Sequence, residues 1–247
     1  MNTETPVALI TGAGRRIGAA MAKALHAEGY RILVHYRQSA NDAETLVAAL
    51  NSERPDSAHT LCADLADMTA VKTLAQQAQD HWGRLDVLIN NASSFYPTLV
   101  GDITEEHWQD LFASNAQAPL FLSQALAPAL KQQHGCIINI ADIHARRPLK
   151  GYTTYCMAKA ANTMLTQSLA RELAPEVRVN SIAPGAILWP ENDAEVDDST
   201  KQQMLDEIPL QRTGTEADIA RTAVFLIQQA DYITGQIIAV DGGRSLK

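Results

Sequence analysis

The 247-residue chain has only three cysteines, Cys62, Cys136 and Cys156, an odd number without CxxC spacing. No disulfide framework or bound metal is therefore expected, and the thiols read as reduced, in a cytosolic (cytoplasmic) protein. No apolar run approaches the roughly 18 residues that span a bilayer, so no membrane partner is expected. No basic stretch leads into a long apolar one ahead of Val7–Ile10, so no secretory leader is expected. Positive charge is in deficit: the formal net charge is -8, which argues against nucleic acid as a partner. A locally basic pocket for one phosphate stays open. Internal repeats and Pro/Gly/Ser linkers are also missing, so residues 1–247 are expected to form one domain, a length that α/β folds often fill singly.

What the chain does contain is alternation. Short runs rich in Val, Ile and Leu at 7–11, 31–36, 58–62, 86–90, 135–141, 177–182 and 237–240 suit strands buried on both faces. Amphipathic segments lie between them, at 16–28, 41–52, 68–82, 104–131, 153–173, 200–206 and 215–229. Strand–helix alternation predicts right-handed βαβ units. The expected fold is a doubly wound α/β fold with a mainly parallel, seven-stranded sheet and helices on both faces. The polar stretch 185–200, with Trp189-Pro190 followed by five acids, breaks this pattern and reads as a loop near the site.

The first strand runs through Thr11-Gly12-Ala13-Gly14-Arg15-Arg16-Ile17-Gly18 into a helix. Glycines at a first βα turn let backbone approach a pyrophosphate at a helix N-terminus, the Rossmann-like arrangement for a dinucleotide. The second strand ends at Val34-His35-Tyr36-Arg37-Gln38-Ser39. It lacks the acid that commonly holds a ribose 2′-hydroxyl. His35, Arg37 and Ser39 stand there instead, facing Arg15 and Arg16, which favours the 2′-phosphate of NADPH/NADP.

Asp64 in Ala63-Asp64-Leu65, Asn90-Asn91-Ala92, Asn115, Tyr155-x-x-x-Lys159 and Pro184-Gly185 follow in order. With the glycine turn, the chain resembles the short-chain dehydrogenase/reductase family along essentially its whole length. Within that family it resembles the pteridine reductases, through Arg16, His35-Tyr36, Ser93-Ser94-Phe95-Tyr96 and Gly151-Tyr152. The stretches Ala183-Pro184 with Ile187-Leu188 and Asp241 to Arg244 are similar to dihydromonapterin reductases. The resemblance implies that Gly12, Arg16, Ile17, Gly18, His35, Tyr36, Arg37, Ser39, Asp64, Leu65, Asn91, Ala92, Ser93, Pro184 and Gly185 bind the cofactor with Tyr155 and Lys159. Ser93, Phe95, Asp142, Tyr152, Tyr155 and Trp189 are the implied substrate contacts, with Phe95 stacked on a flat pterin. A homotetramer is implied too, packed through helices 104–131 and 153–173, with residues Arg244 to Lys247 reaching a neighbouring site.

Tyr155 and Lys159, at i and i+4, share a helix face. The Lys159 ammonium and the oxidised nicotinamide are expected to stabilise a phenolate, lowering its pKa and making Tyr155 the proton donor. Asn115 is implied to support a water chain. Most relatives place serine where this chain has Asp142, and a carboxyl beside Tyr155 can pass it a proton as it protonates a ring nitrogen. The alternative is that Asp142 is only a helix or turn cap. The expected reaction is NADPH-dependent reduction of a dihydropterin C=N bond to give a tetrahydropterin, an oxidoreduction at a CH–NH group. Oxidised pterin and dihydrofolate are further candidate substrates. Two alternatives remain: reduction of a carbonyl such as a 3-oxoacyl thioester, and a non-catalytic NADPH-binding regulator.

Overall fold

The computed structural model describes residues 5–187, 202 and 205–246. Seven parallel strands form one sheet in the order β3-β2-β1-β4-β5-β6-β7. They are β1 (Val7–Ile10), β2 (Arg31–Tyr36), β3 (Ala58–Cys62), β4 (Val87–Asn90), β5 (Cys136–Ile140), β6 (Arg178–Pro184) and β7 (Ile237–Val240). All seven fall within two residues of the runs read from the sequence. The Rossmann-like architecture follows from their composition. Val7 and Leu9 turn to one face of the sheet and Ala8 and Ile10 to the other, all fully buried, so both faces must be covered.

Helices α1 (Arg16–Ala27), α2 (Ala40–Glu53) and α7 (Glu216–Gln228) cover one face. Helices α3 (Met68–Asp80), α5 (Ala118–Gln132) and α6 (Thr153–Glu172) cover the other. Strand order reverses between β1 and β4, and in open α/β sheets such a switch point opens the ligand crevice at the strands' carboxyl ends. Among the described residues no helix is long and apolar enough to cross a membrane. Of the expected helix 200–206, residues 202, 205 and 206 are described and helical.

The expected single helix 104–131 is three segments. Helix α4 (Glu105–Phe112) gives way to a π-helical turn, Ala113–Gln117, before α5 begins. Contacts distant in sequence hold the widened turn. The Asn115 side chain donates to Leu111 O and to Ser94 O, at 2.9 and 3.0 Å. Asn162 Nδ2 of α6 donates to the Asn115 carbonyl at 2.9 Å. Such π-turns are frequent at functional sites, and this one stands directly behind the crevice.

Candidate active site

A cavity of about 920 Å³ opens at the switch point. At one end lies Tyr155, 3% exposed, on the first turn of α6. Its hydroxyl donates to Asp142 Oδ2 at 2.7 Å. Asp142 lies two residues past the end of β5, and its other oxygen, Oδ1, accepts from His144 N at 2.8 Å. The carboxylate is thus a turn cap and a partner of Tyr155 at once, one oxygen for each task. Lys159, 2% exposed, donates from Nζ to Ile140 O at the end of β5, at 2.8 Å.

Here the structure corrects the part of that expectation assigned to Lys159. The Lys159 ammonium lies 5.7 Å from the Tyr155 ring centroid and is bonded to Ile140, not to the phenol. Burial and the neighbouring Asp142 carboxylate push the Tyr155 pKa well up rather than down. Burial also lowers Lys159 to about 8, with the Asp142 carboxylate opposing. The protein's own groups therefore keep Tyr155 a phenol, holding the proton it would donate.

Phe95 stacks on Tyr152 at 4.7 Å between centroids and 17° between planes. It meets Tyr155 edge-on at 4.8 Å. This corner is pinned by Thr98 N donating to Gly151 O and by Thr98 Oγ1 against Thr154 Oγ1. Phe95 is 54% exposed, so it is a cleft wall rather than core, and one of its faces is already taken by Tyr152.

At the other end, Gly12, Arg16, Ile17 and Gly18 line the cavity with Arg37, Asp64 and Leu65. Asn91, Ala92, Pro184 and Gly185 flank its middle. Gly12 has φ +62, and a Cβ on Gly18 would lie 2.4 Å from the Gly12 carbonyl oxygen. The turn therefore closes tightly only without side chains at positions 12 and 18. No side chain caps the first turn of α1, which leaves helix N–H groups for an anion. These features fit a dinucleotide laid from Arg37 to Tyr155.

A family model described as enoyl-(acyl carrier protein) reductase matches residues 12–245. Pteridine reductase 1 of Leishmania tarentolae is 41% identical over 282 residues, covering 98% of this chain and 96% of its own length. The 3-oxoacyl-(acyl-carrier-protein) reductase of Staphylococcus aureus is 39% identical over 242 residues, covering 97% and 98%. The chain belongs to the short-chain dehydrogenase/reductase family. It is an oxidoreductase of that family, whose members use NAD(P)H.

Several residues singled out in this short-chain reductase do other work. His35 borders the cavity but is 1% exposed. Its Nδ1 accepts from Gly12 N and its Nε2 bonds Ala63 O, each at 3.1 Å. Burial lowers its pKa to about 4. His35 is therefore a neutral strut for the glycine turn, with both nitrogens committed, and cannot serve as a cation for a 2′-phosphate. Tyr36 is off the cavity surface, its carbonyl accepting from Ala63 N. Ser39 is off it too, at the start of α2 with Oγ against Gly14. Asn115 lies behind the wall, where its Oδ1 accepts from Ser93 Oγ at 2.7 Å; Ser93 itself lines the cavity. Arg37 is 4.0 Å from Asp64, and Arg15 pairs with Asp42 of α2, an acid the strand-end reading did not count. Arg244 lines the cavity of its own subunit and donates to Glu207. Trp189 lies outside the described residues.

The sequence reading missed Tyr96, Asp110, Ser114, His144 and Thr213 along the same cavity. The spacing of Asp110 and Ser114, i and i+4 ahead of the crevice, was the available signal for those two.

The His35 strut makes a pH prediction. Its folded pKa lies below its unfolded value, so above about pH 6.5 both states are neutral and the group is silent. As pH falls from 6.5 toward 4, the unfolded chain takes up a proton that the native site resists. Stability then drops by up to roughly 3 kcal/mol. Denaturant unfolding at pH 7, 5.5 and 4.5 is expected to show that share of the acid slope in the wild type but not in His35→Gln. Parallel slopes would refute it.

Proposed function

We propose that this protein is an NADPH-dependent pteridine reductase that reduces a dihydropterin to a tetrahydropterin. The observation that carries the reading is the Asp142 carboxylate on the Tyr155 hydroxyl at 2.7 Å. A serine there would serve a carbonyl oxygen as a hydrogen-bond donor. A carboxyl instead can relay a proton to the phenol, which suits protonation of a basic ring nitrogen. The exposed Phe95 beside it offers aromatic surface to a planar bicyclic substrate.

When bound, the reduced nicotinamide supplies the hydride that reduces the C=N bond. Arg16 and Arg37 would hold the 2′-phosphate, Asp64 the adenine and Lys159 the nicotinamide ribose. Tyr155 gives its proton to the substrate nitrogen, and Asp142 relays one from solvent back to the phenol oxygen. Exposed Leu120, Phe121, Met157 and Met164 on α5 and α6 support packing of these helices against other copies of the chain.

The two relatives differ by only 2 percentage points in identity, so the site chemistry must discriminate. The test is NADPH and NADH oxidation with dihydrobiopterin, dihydromonapterin, dihydrofolate and an acetoacetyl thioester. A dihydropterin is expected to be turned over with NADPH and the thioester at a rate at least about tenfold lower. Preference for the thioester would assign carbonyl reduction instead.

A further inference from the structure

Among the described residues, three carboxylates line the cavity: Asp64, Asp142 and Asp110. The first faces Arg37 and the second Tyr155. Asp110, half-buried on α4, has no cation partner among the described residues. It stands one helical turn before Ser114, whose Oγ accepts from Ser94 N at 3.0 Å. This places it against the segment that carries Phe95. Its protein neighbour is the Tyr96 phenol, which burial and the nearby Asp110 and Glu106 carboxylates push up to about 12. The phenol therefore stays a donor, and one donor leaves most of the carboxylate's acceptor sites free.

We propose that Asp110 is a specificity-determining residue, accepting hydrogen bonds from the 2-amino edge of a pterin ring stacked at Phe95. This inference rests on the pteridine reading above. A 2-amino-4-oxopyrimidine presents its amino group and N3–H side by side, a donor pair that matches the two oxygens of a carboxylate. Asp110 and Tyr155 then hold opposite needs of one ligand in one cavity: an acceptor for its amino edge and a donor for its reducible nitrogen. A 3-oxoacyl thioester has no such donor pair, and an unpaired carboxylate would disfavour it.

The experiment compares 6-methyl-7,8-dihydropterin with its 2-oxo analogue, 6-methyl-7,8-dihydrolumazine, with NADPH. The wild type is expected to favour the 2-amino compound in kcat/KM by about 10- to 100-fold, the scale of a charge-assisted hydrogen bond. Asp110→Asn is expected to reduce that ratio to within about threefold, by raising KM for the pterin, because an amide serves the 2-oxo edge as well. Tyr96→Phe, which keeps the carboxylate, is expected to retain the preference. Loss of the preference in both variants would reduce Asp110 to a support for Tyr96 and overturn the proposal. An unchanged ratio in Asp110→Asn would overturn it while leaving the pteridine reading intact. Turnover of neither compound by the wild type would overturn both.

Discussion

Tyr155→Phe is expected to lower kcat with a dihydropterin by about 10²- to 10⁴-fold, the usual worth of a positioned general acid. The substitution removes a single hydroxyl. The ring would keep its edge-on contact with Phe95, and Lys159 would keep its bond to Ile140 O, since neither involves the phenol oxygen. NADPH affinity, measured by calorimetry, should accordingly change by less than about threefold, because a hydroxyl-deleted partner costs on the order of one neutral hydrogen bond or less. Retention of more than a tenth of wild-type turnover would remove Tyr155 from the role of acid.

Asp142→Asn should lower kcat by about 10²-fold or more with KM nearly unchanged, because the residue acts on the phenol and not on the bound ring. The argument turns on two observations. Burial and the adjacent carboxylate raise the Tyr155 pKa, so the phenol by itself is a reluctant acid. The hydrogen bond to Asp142 Oδ2 is short and direct, so a proton relayed through Asp142 can reach the phenol oxygen as the phenol's own proton leaves. An asparagine can preserve the bond to Tyr155 or to His144 N, and so much of the turn, but it cannot carry the proton. Single-turnover kinetics with preformed enzyme–NADPH would separate this step from binding. A drop in KM affinity matched by an unaltered single-turnover rate would make Asp142 a substrate clamp instead.

Particular residues show how far the sequence reached. The strands were legible because both faces of the sheet are covered, which forces near-continuous apolar runs such as Cys136–Ile140. Tyr155, Lys159 and Asp142 were legible because the first two share a helix face and the third lies just past a strand that opens into the same crevice. The helix break at Asn115 was not legible. Its cause is Asn162, 47 residues later, together with Ser94, 21 residues earlier, and periodicity reads only neighbours within a few turns.

Local spacing and composition by themselves determined the parallel sheet, the glycine turn against α1 and the placement of Tyr155 and Lys159 on one helix face. Burial and long-range partnership, which only the tertiary structure decides, changed the charge story. Set between Gly12 and Ala63, His35 became a neutral strut rather than a cation. Arg15 found Asp42, and Lys159 turned to Ile140 rather than to the phenol. A residue's type tells which charge it can carry; whether it carries that charge, and toward what, depends on desolvation and on neighbours brought together by the fold.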